Sequence, residues 1–154
     1  MTKAKPVDPR RRARMAALQC LFAVDLRPGS QENHLAWLVE DNPLPIGAVD
    51  FAQDLVEGVR ESLTELDALI FKYAPAWPVS QLPVVDRNVI RIALFELLHH
   101  RETPRKSVVN EAVELAKLFG SESSARFVNG VLGSVMVDLD SGTLTLEQPV
   151  REGR

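Results

Sequence analysis

Four arginines stand close together near the start of the chain: Arg10, Arg11, Arg12 and Arg14. A guanidinium can donate several hydrogen bonds to a phosphate and can also stack on a base, whereas a lysine ammonium supplies only charge. Residues 1–14 hold six basic side chains against one acid, although the whole chain has a net charge of −3. This uneven charge predicts one anionic partner bound at one place. The alternative is a solvated basic end that contacts acidic residues of its own chain.

A helix must position these arginines. Asp8 is a suitable N-cap and Pro9 a suitable first residue, so we expect a helix through PRRRARMAALQCLFAVDL. Helical spacing places Phe22 on the same side as Arg11, where its ring could offer a platform for bases. The core-facing positions of this helix are Ala13, Ala17, Leu18, Leu21 and Val24. The apolar part is too short and too polar at Gln19 for a convincing secretory signal, so we expect a cytoplasmic protein.

Catalytic and metal-binding patterns have little support. Glu96, His99 and His100 have helical spacing, but only two or three ligands are visible and no H-E-x-x-H pattern occurs. A histidine-bearing helix C-terminus is the simpler interpretation. The single cysteine, Cys20, excludes an internal disulfide and a multi-cysteine zinc site, and we expect its thiol to be buried. We therefore predict no enzyme activity, no cofactor and no metal.

The residues from Pro83 to Val137 form the centre of the predicted fold. The run VVDRNVIRIALFELLHH is apolar nearly all round, which is typical of a buried helix, and its charged residues argue against a membrane span. VVNEAVELAKLFG follows as an amphipathic helix, with Ser107 as its N-cap and Gly120 as its C′ residue. In the next helix, SARFVNGVLGSVMVD, Gly130 is costly, so we expect another helix to cross closely there.

The composition is that of one globular domain. The chain has 154 residues, of which 45% are hydrophobic and 25% charged, enough to bury a sizeable core. We predict an all-α fold of about seven helices, arranged as two packed helical bundles that share a core. Residues 1–8 are expected to be a flexible basic arm, residues 9–138 a single all-helical domain, and residues 139–154 a flexible tail.

Three segments carry a resemblance to a known family. DRNVIRIALFELLHH, VVNEAVELAKLFG and SSARFVNGVLGSV, in this order and at these separations, resemble the NusB family of bacterial transcription antitermination factors. The resemblance implies a factor that binds boxA-type RNA together with the ribosomal protein NusE during rRNA transcription. Other antitermination factors and RNA polymerase would be indirect partners. The family's arginine-rich motif falls on Arg10 to Arg14, and its RNA-side aromatic, commonly Tyr, falls on Phe22.

The resemblance also implies roles for residues in the second half of the chain. Asp86, at the start of the core helix, matches an acidic position on the NusE-facing surface. Ser123, Arg126 and Phe127 match RNA-proximal positions, and Arg126 is a candidate phosphate ligand. Phe127 also lies on the apolar stripe of its helix, so both RNA contact and a core position stay open. We interpret Asn129 and Gly130, from the FVNG motif, as packing residues.

Two other functions fit parts of the sequence. A protein-interaction scaffold without its own RNA site would need the arginines only for solubility. The second alternative is the RNA-binding module of an RNA cytosine methyltransferase, because NusB-like domains precede the catalytic domain of some such enzymes. No nucleotide-binding βαβ pattern occurs in this sequence. The sequence leaves open whether the free protein forms a homodimer that masks its RNA surface.

Overall fold

The computed structural model describes residues 8–27 and 34–145. The basic arm predicted for residues 1–8 lies outside this part except for Asp8, and the tail predicted for residues 139–154 lies outside it beyond Thr145. The described start of that tail is still helical as far as Asp140 and then turns. The predictions of a flexible arm and a flexible tail stay predictions.

The described residues form seven α-helices and one short 3₁₀ turn, which confirms the predicted all-α class. They divide into two compact units, Met1–Glu61 and Ser62–Arg154. The prediction that residues 9–138 form one domain stays a prediction. The first unit contains α1 (Pro9–Leu26), α2 (His34–Asp41) and α3 (Ile46–Glu61); the second contains α4 (Leu63–Tyr73), the 3₁₀ turn (Val79–Gln81), α5 (Val84–His99), α6 (Arg105–Phe119) and α7 (Ser124–Asp140).

In the first unit, α1 packs against α3 and α2. Its N-terminus is built as predicted, because the Asp8 carboxylate accepts the Arg10 backbone N–H at 2.8 Å and Pro9 occupies the first turn. Four of the five predicted core positions of α1 are buried, while Val24 is only half-buried. Burial also raises the pKa of the Cys20 thiol, as expected for an inert buried cysteine.

In the second unit, α5 is the central helix and packs against α4, α6 and α7. Every residue from Asn88 to Leu98 is buried, so the prediction of a buried helix is confirmed. Arg91 is only 6% exposed and forms two hydrogen bonds with the Asp67 carboxylate of α4, Nε to Oδ1 at 2.8 Å and Nη2 to Oδ2 at 2.9 Å. Among the described helices, none combines the length and hydropathy of a membrane span.

Two predicted helix ends were wrong. Helix α6 begins at Arg105 with Pro104 as its N-cap, so Ser107 lies inside the first turns. A proline suits this end, since its missing N–H would have had no helical partner. Gly120 is the C-cap of α6 with an extended backbone (φ −95°), not a left-handed C′ residue. The space beside the Gly120 Cα is crowded instead, because a Cβ there would collide with the Ser124 side chain and lie 2.8 Å from the Ala116 carbonyl oxygen.

The expected close crossing at Gly130 was also wrong. Gly130 is exposed, and a Cβ built on it would meet no atom within 4 Å. Asn129 is exposed as well, so neither residue is a packing residue. A close approach of backbones is a common reason for a glycine inside a helix, but the structure has open space at this position.

A hydrogen bond joins the end of α4 to α7 in the second unit. The Tyr73 hydroxyl donates to Asp138 Oδ2 at 2.8 Å. Burial, together with this hydrogen bond and the nearby carboxylate charge, raises the pKa of Tyr73 from 10.0 to about 12. The neutral phenol is therefore the form that the folded protein stabilises.

The two glycines predict opposite effects of the same substitution. Gly130→Ala should stabilise the protein by about 0.5–1 kcal/mol, because alanine restricts the unfolded chain and has room in the helix. Gly120→Ala should destabilise it, since the methyl group collides with Ser124. Urea denaturation of both variants measures the two effects, and a loss of stability in Gly130→Ala would contradict the open environment described here.

Removing the carboxylate partner of Arg91 should be costly. Asp67→Ala leaves a buried guanidinium without its ion pair, and we expect a loss of about 3 kcal/mol. Glu114→Ala is the matched control, because its 3.3 Å bridge to Lys117 lies at the surface and should contribute less than about 1 kcal/mol. Denaturation of both variants gives the comparison, and equal losses would show that the Arg91 pair is not a buried constraint.

The raised pKa of Tyr73 predicts a stability loss at high pH. The folded-state pKa lies above the unfolded value, so this contribution is fully present below pH 10 and is lost as the pH rises toward about 12. Tyr73 is the only tyrosine in the chain, so near-ultraviolet titration reports its ionisation directly. The stability advantage of the wild type over Tyr73→Phe should shrink through this range, and a midpoint near 10 would contradict the hydrogen bond to Asp138.

Candidate nucleic-acid interface

An aromatic ring of α3 holds two of the predicted RNA-binding arginines. The guanidinium carbon of Arg10 lies 4.4 Å from the centroid of the Phe51 ring, and that of Arg14 lies 5.2 Å from it. Both distances are within the range of a cation–π interaction. Arg10 is exposed, whereas Arg14 is only 4% exposed. Arg10 can therefore reach a ligand, and Arg14 mainly supports the unit.

The other two arginines have different surroundings. Arg12 is half-buried, and its Nη2 donates a hydrogen bond of 2.6 Å to the backbone carbonyl of Pro43, between α2 and α3. This bond fixes the direction of the guanidinium while leaving other N–H groups for a ligand. Arg11 is half-buried and also has an interaction within the protein. The cluster is thus ordered by its own unit before any partner binds.

The arginines lie at the unfavourable end of α1. The N-terminus of a helix carries partial positive charge; α1 places one carboxylate there, that of the N-cap Asp8, and no acidic residue in its first turn. A cation there costs about 0.3–1 kcal/mol at an exposed site. An anion would gain from the same field. Pro9 has no backbone N–H and the N–H of Arg10 is bonded to Asp8, so the guanidinium groups are the main donors for a phosphate at this end. The electrostatics of this helix end therefore suit a polyanionic ligand.

The aromatic ring that two of the arginines contact is not the one that the sequence placed beside them. Phe22 is half-buried on α1, and the aromatic ring that Arg10 and Arg14 contact is Phe51. Residue types and spacing do not indicate this contact, because Phe51 has the helical spacing of a core residue among other apolar residues. The stacking role of Phe22 stays a prediction.

Three further predicted RNA-binding residues form a group of their own at the start of α7, in the second unit. Ser123 and Arg126 are exposed, and Phe127 is half-buried. Ser123 is the N-cap by position but makes no side-chain capping bond, and its Oγ lies 3.3 Å from the Ser121 Oγ. The exposed Arg126 guanidinium is therefore accessible to a phosphate, and the half-buried ring of Phe127 still allows either role.

Asp86, the predicted partner-binding residue, lies in the first turn of α5 and is only 4% exposed. Within the described part of the chain, no donor lies within hydrogen-bond distance of its Oδ1. The positive end of the helix favours a carboxylate there. Its role toward a partner stays a prediction, and little of its side chain is accessible for direct contact.

The predicted absence of a metal centre stays a prediction. No group of three or more His, Cys, Asp or Glu side chains among them is arranged to hold a metal ion. Of the three residues considered from the sequence, Glu96 is 1% exposed, and the His100 Nδ1 lies 2.9 Å from Glu102 Oε1.

Solved structures share this fold. The structure of NusB from T. maritima covers 89% of this chain and 99% of its own, with a TM-score of 0.76 and 34% sequence identity. A crystal structure of the antitermination factors NusB and NusE in complex with double-stranded RNA covers 84% of this chain and 97% of its own, with a TM-score of 0.75 and 28% identity.

The sequence itself gives the family. The transcription antitermination protein NusB of Chloroflexus aggregans is 48% identical over 138 residues, which are 88% of this chain and 92% of that protein. The pattern of the NusB family matches residues 11–137, including all but the first of the four arginines and the helices from α2 to α6. This chain belongs to the NusB family.

Proposed function

We propose that this protein is an RNA-binding transcription antitermination factor that binds boxA-type RNA together with the ribosomal protein NusE. The names of its relatives and the solved complex of NusB and NusE with RNA support this function. It acts by binding, without catalysis and without a cofactor, in the cytoplasm. Other antitermination factors and RNA polymerase are then indirect partners.

The ordered arginine cluster at the positive end of α1 is the observation that carries this proposal. Arg10 is held over Phe51, and Arg12 is held by the Pro43 carbonyl. Long side chains that are already ordered lose less conformational entropy on binding than free ones. Phosphates therefore meet guanidinium groups whose positions are set in advance.

Each group of residues has a distinct part in the mechanism. Arg10, Arg11 and Arg12 bind successive phosphates, which sets the position of the RNA without reading its sequence. Phe22 stacks on an unpaired base. Arg126 adds a phosphate contact from the second unit, and the neutral Ser123 beside it adds no repulsion of the RNA backbone. The start of α5, near Asp86, belongs to the surface that faces NusE.

The arginine contacts predict a defined change in salt dependence. Replacing Arg10, Arg11 and Arg12 with Ala should weaken binding of a boxA-type RNA. The slope of log K against log salt should become shallower by about 2, because each lost phosphate contact on a single strand removes about 0.7 from its magnitude. Arg14 is kept because it is buried. Fluorescence anisotropy at several salt concentrations, with and without NusE, gives both quantities.

A matched double variant tests whether any loss of surface charge has the same effect. Arg105→Ala with Lys106→Ala removes two exposed cations from the start of α6 and should leave the affinity nearly unchanged. Preference for boxA-type over scrambled RNA should grow with NusE in the wild type. Equal binding by the wild type and the arginine variant would overturn the proposed RNA site and favour a protein-interaction scaffold.

A further inference from the structure

A groove in the first unit lies beside the arginine cluster and has no role in the mechanism above. It has a volume of about 240 Å³. Helix α1 supplies one side, and α2 with the segment that follows it supplies the other. The lining residues are Arg12, Met15, Ala16, Gln19, Leu38, Asn42 and Leu44.

The lining suits a flat group with an apolar face and a polar edge. Met15, Ala16, Leu38 and Leu44 supply apolar surface, and Gln19 and Asn42 supply two carboxamides. Each carboxamide offers donors and an acceptor together, which is the pattern that amides use to pair with base edges. Sites for drug-sized ligands span about 300–1,000 Å³, so this smaller groove fits one ring system better than a larger molecule.

Charge and position connect the groove with RNA. Arg12 is one of the lining residues, and its guanidinium is directed by the bond to the Pro43 carbonyl. Residues four apart are neighbours on a helix, so Arg11, Met15 and Gln19 form one continuous row on α1. Met15 thus belongs both to the row that begins with Arg11 and to the groove. A strand whose phosphate is bound at Arg11 or Arg12 has its adjacent base within reach of the groove.

We infer that this groove binds one unpaired nucleobase of the RNA held by the arginines, with Gln19 and Asn42 bonding to the edge of the base and the apolar residues packing against its face. The inference rests on the proposed function, because the arginines must first bring the RNA to α1. The arginines contact phosphates alone, and the groove would add a contact that depends on a base.

The test compares base removal in the RNA with side-chain removal in the protein. A boxA-type RNA is prepared as a series in which each nucleotide in turn lacks its base. For the full-length wild type, one position besides that of the base stacked on Phe22 should show a loss of affinity of about tenfold, in the range found for a single bound base. For the variant Gln19→Ala with Asn42→Ala, intact RNA should bind more weakly, and base removal at that position should cause a smaller further loss.

The control variant is Gln53→Ala, which removes the same kind of side chain from an exposed position on α3, where it donates a hydrogen bond of 3.2 Å to Glu57 of the same helix. It should reproduce the wild-type series. If the double variant shows the same series of losses as the wild type, the groove is not a base site, although RNA binding by the arginines stands. If the wild type binds none of these RNAs, the proposed function fails and the inference fails with it.

Discussion

Repulsion among like charges at the positive end of a helix is the constraint around which the first unit is built. Four guanidinium groups lie within about one and a half turns of α1. The carboxylate of Asp8 is already used to cap the helix. The Phe51 ring contacts two of the guanidinium groups through its π face, and the Pro43 carbonyl accepts a hydrogen bond from a third. Helix α3 and the segment before it therefore help to order three of these guanidinium groups.

In the second unit, the buried arginine is paired with a carboxylate. Arg91 is fully paired with the Asp67 carboxylate and also donates from Nη1 to Asn88 Oδ1 at 3.0 Å. Such an arrangement pairs the charge inside the unit and joins α4 to α5. The same residue type therefore serves two purposes in one chain. What distinguishes them is the partner: a carboxylate satisfies the charge, whereas an aromatic face or a carbonyl leaves its field available.

Local rules predicted much of this fold. The buried helix α5 follows from apolar residues on every side, and the start of α1 follows from an aspartate before a proline, since both signals lie within a few residues. Features that depend on distant residues could not be predicted in this way. The contact of Arg10 and Arg14 with Phe51 spans about forty residues, and the burial of Arg14 cannot be read from a side chain that is usually exposed. A glycine can mark crowding, as at Gly120, or open space, as at Gly130, and the residue type alone does not separate the two.

The middle of α7 has a consequence for local motion. The exposed Gly130 offers the backbone no side-chain support, and its carbonyl also accepts a bond of 3.2 Å from the Ser134 hydroxyl one turn later. Both features weaken the regular helical hydrogen-bond ladder at one place. Amide protons there should exchange with solvent through small local openings, while those of the enclosed α5 should exchange only through much larger unfolding events. Two neighbouring helices of the same unit thus differ in the timescale on which their backbones open.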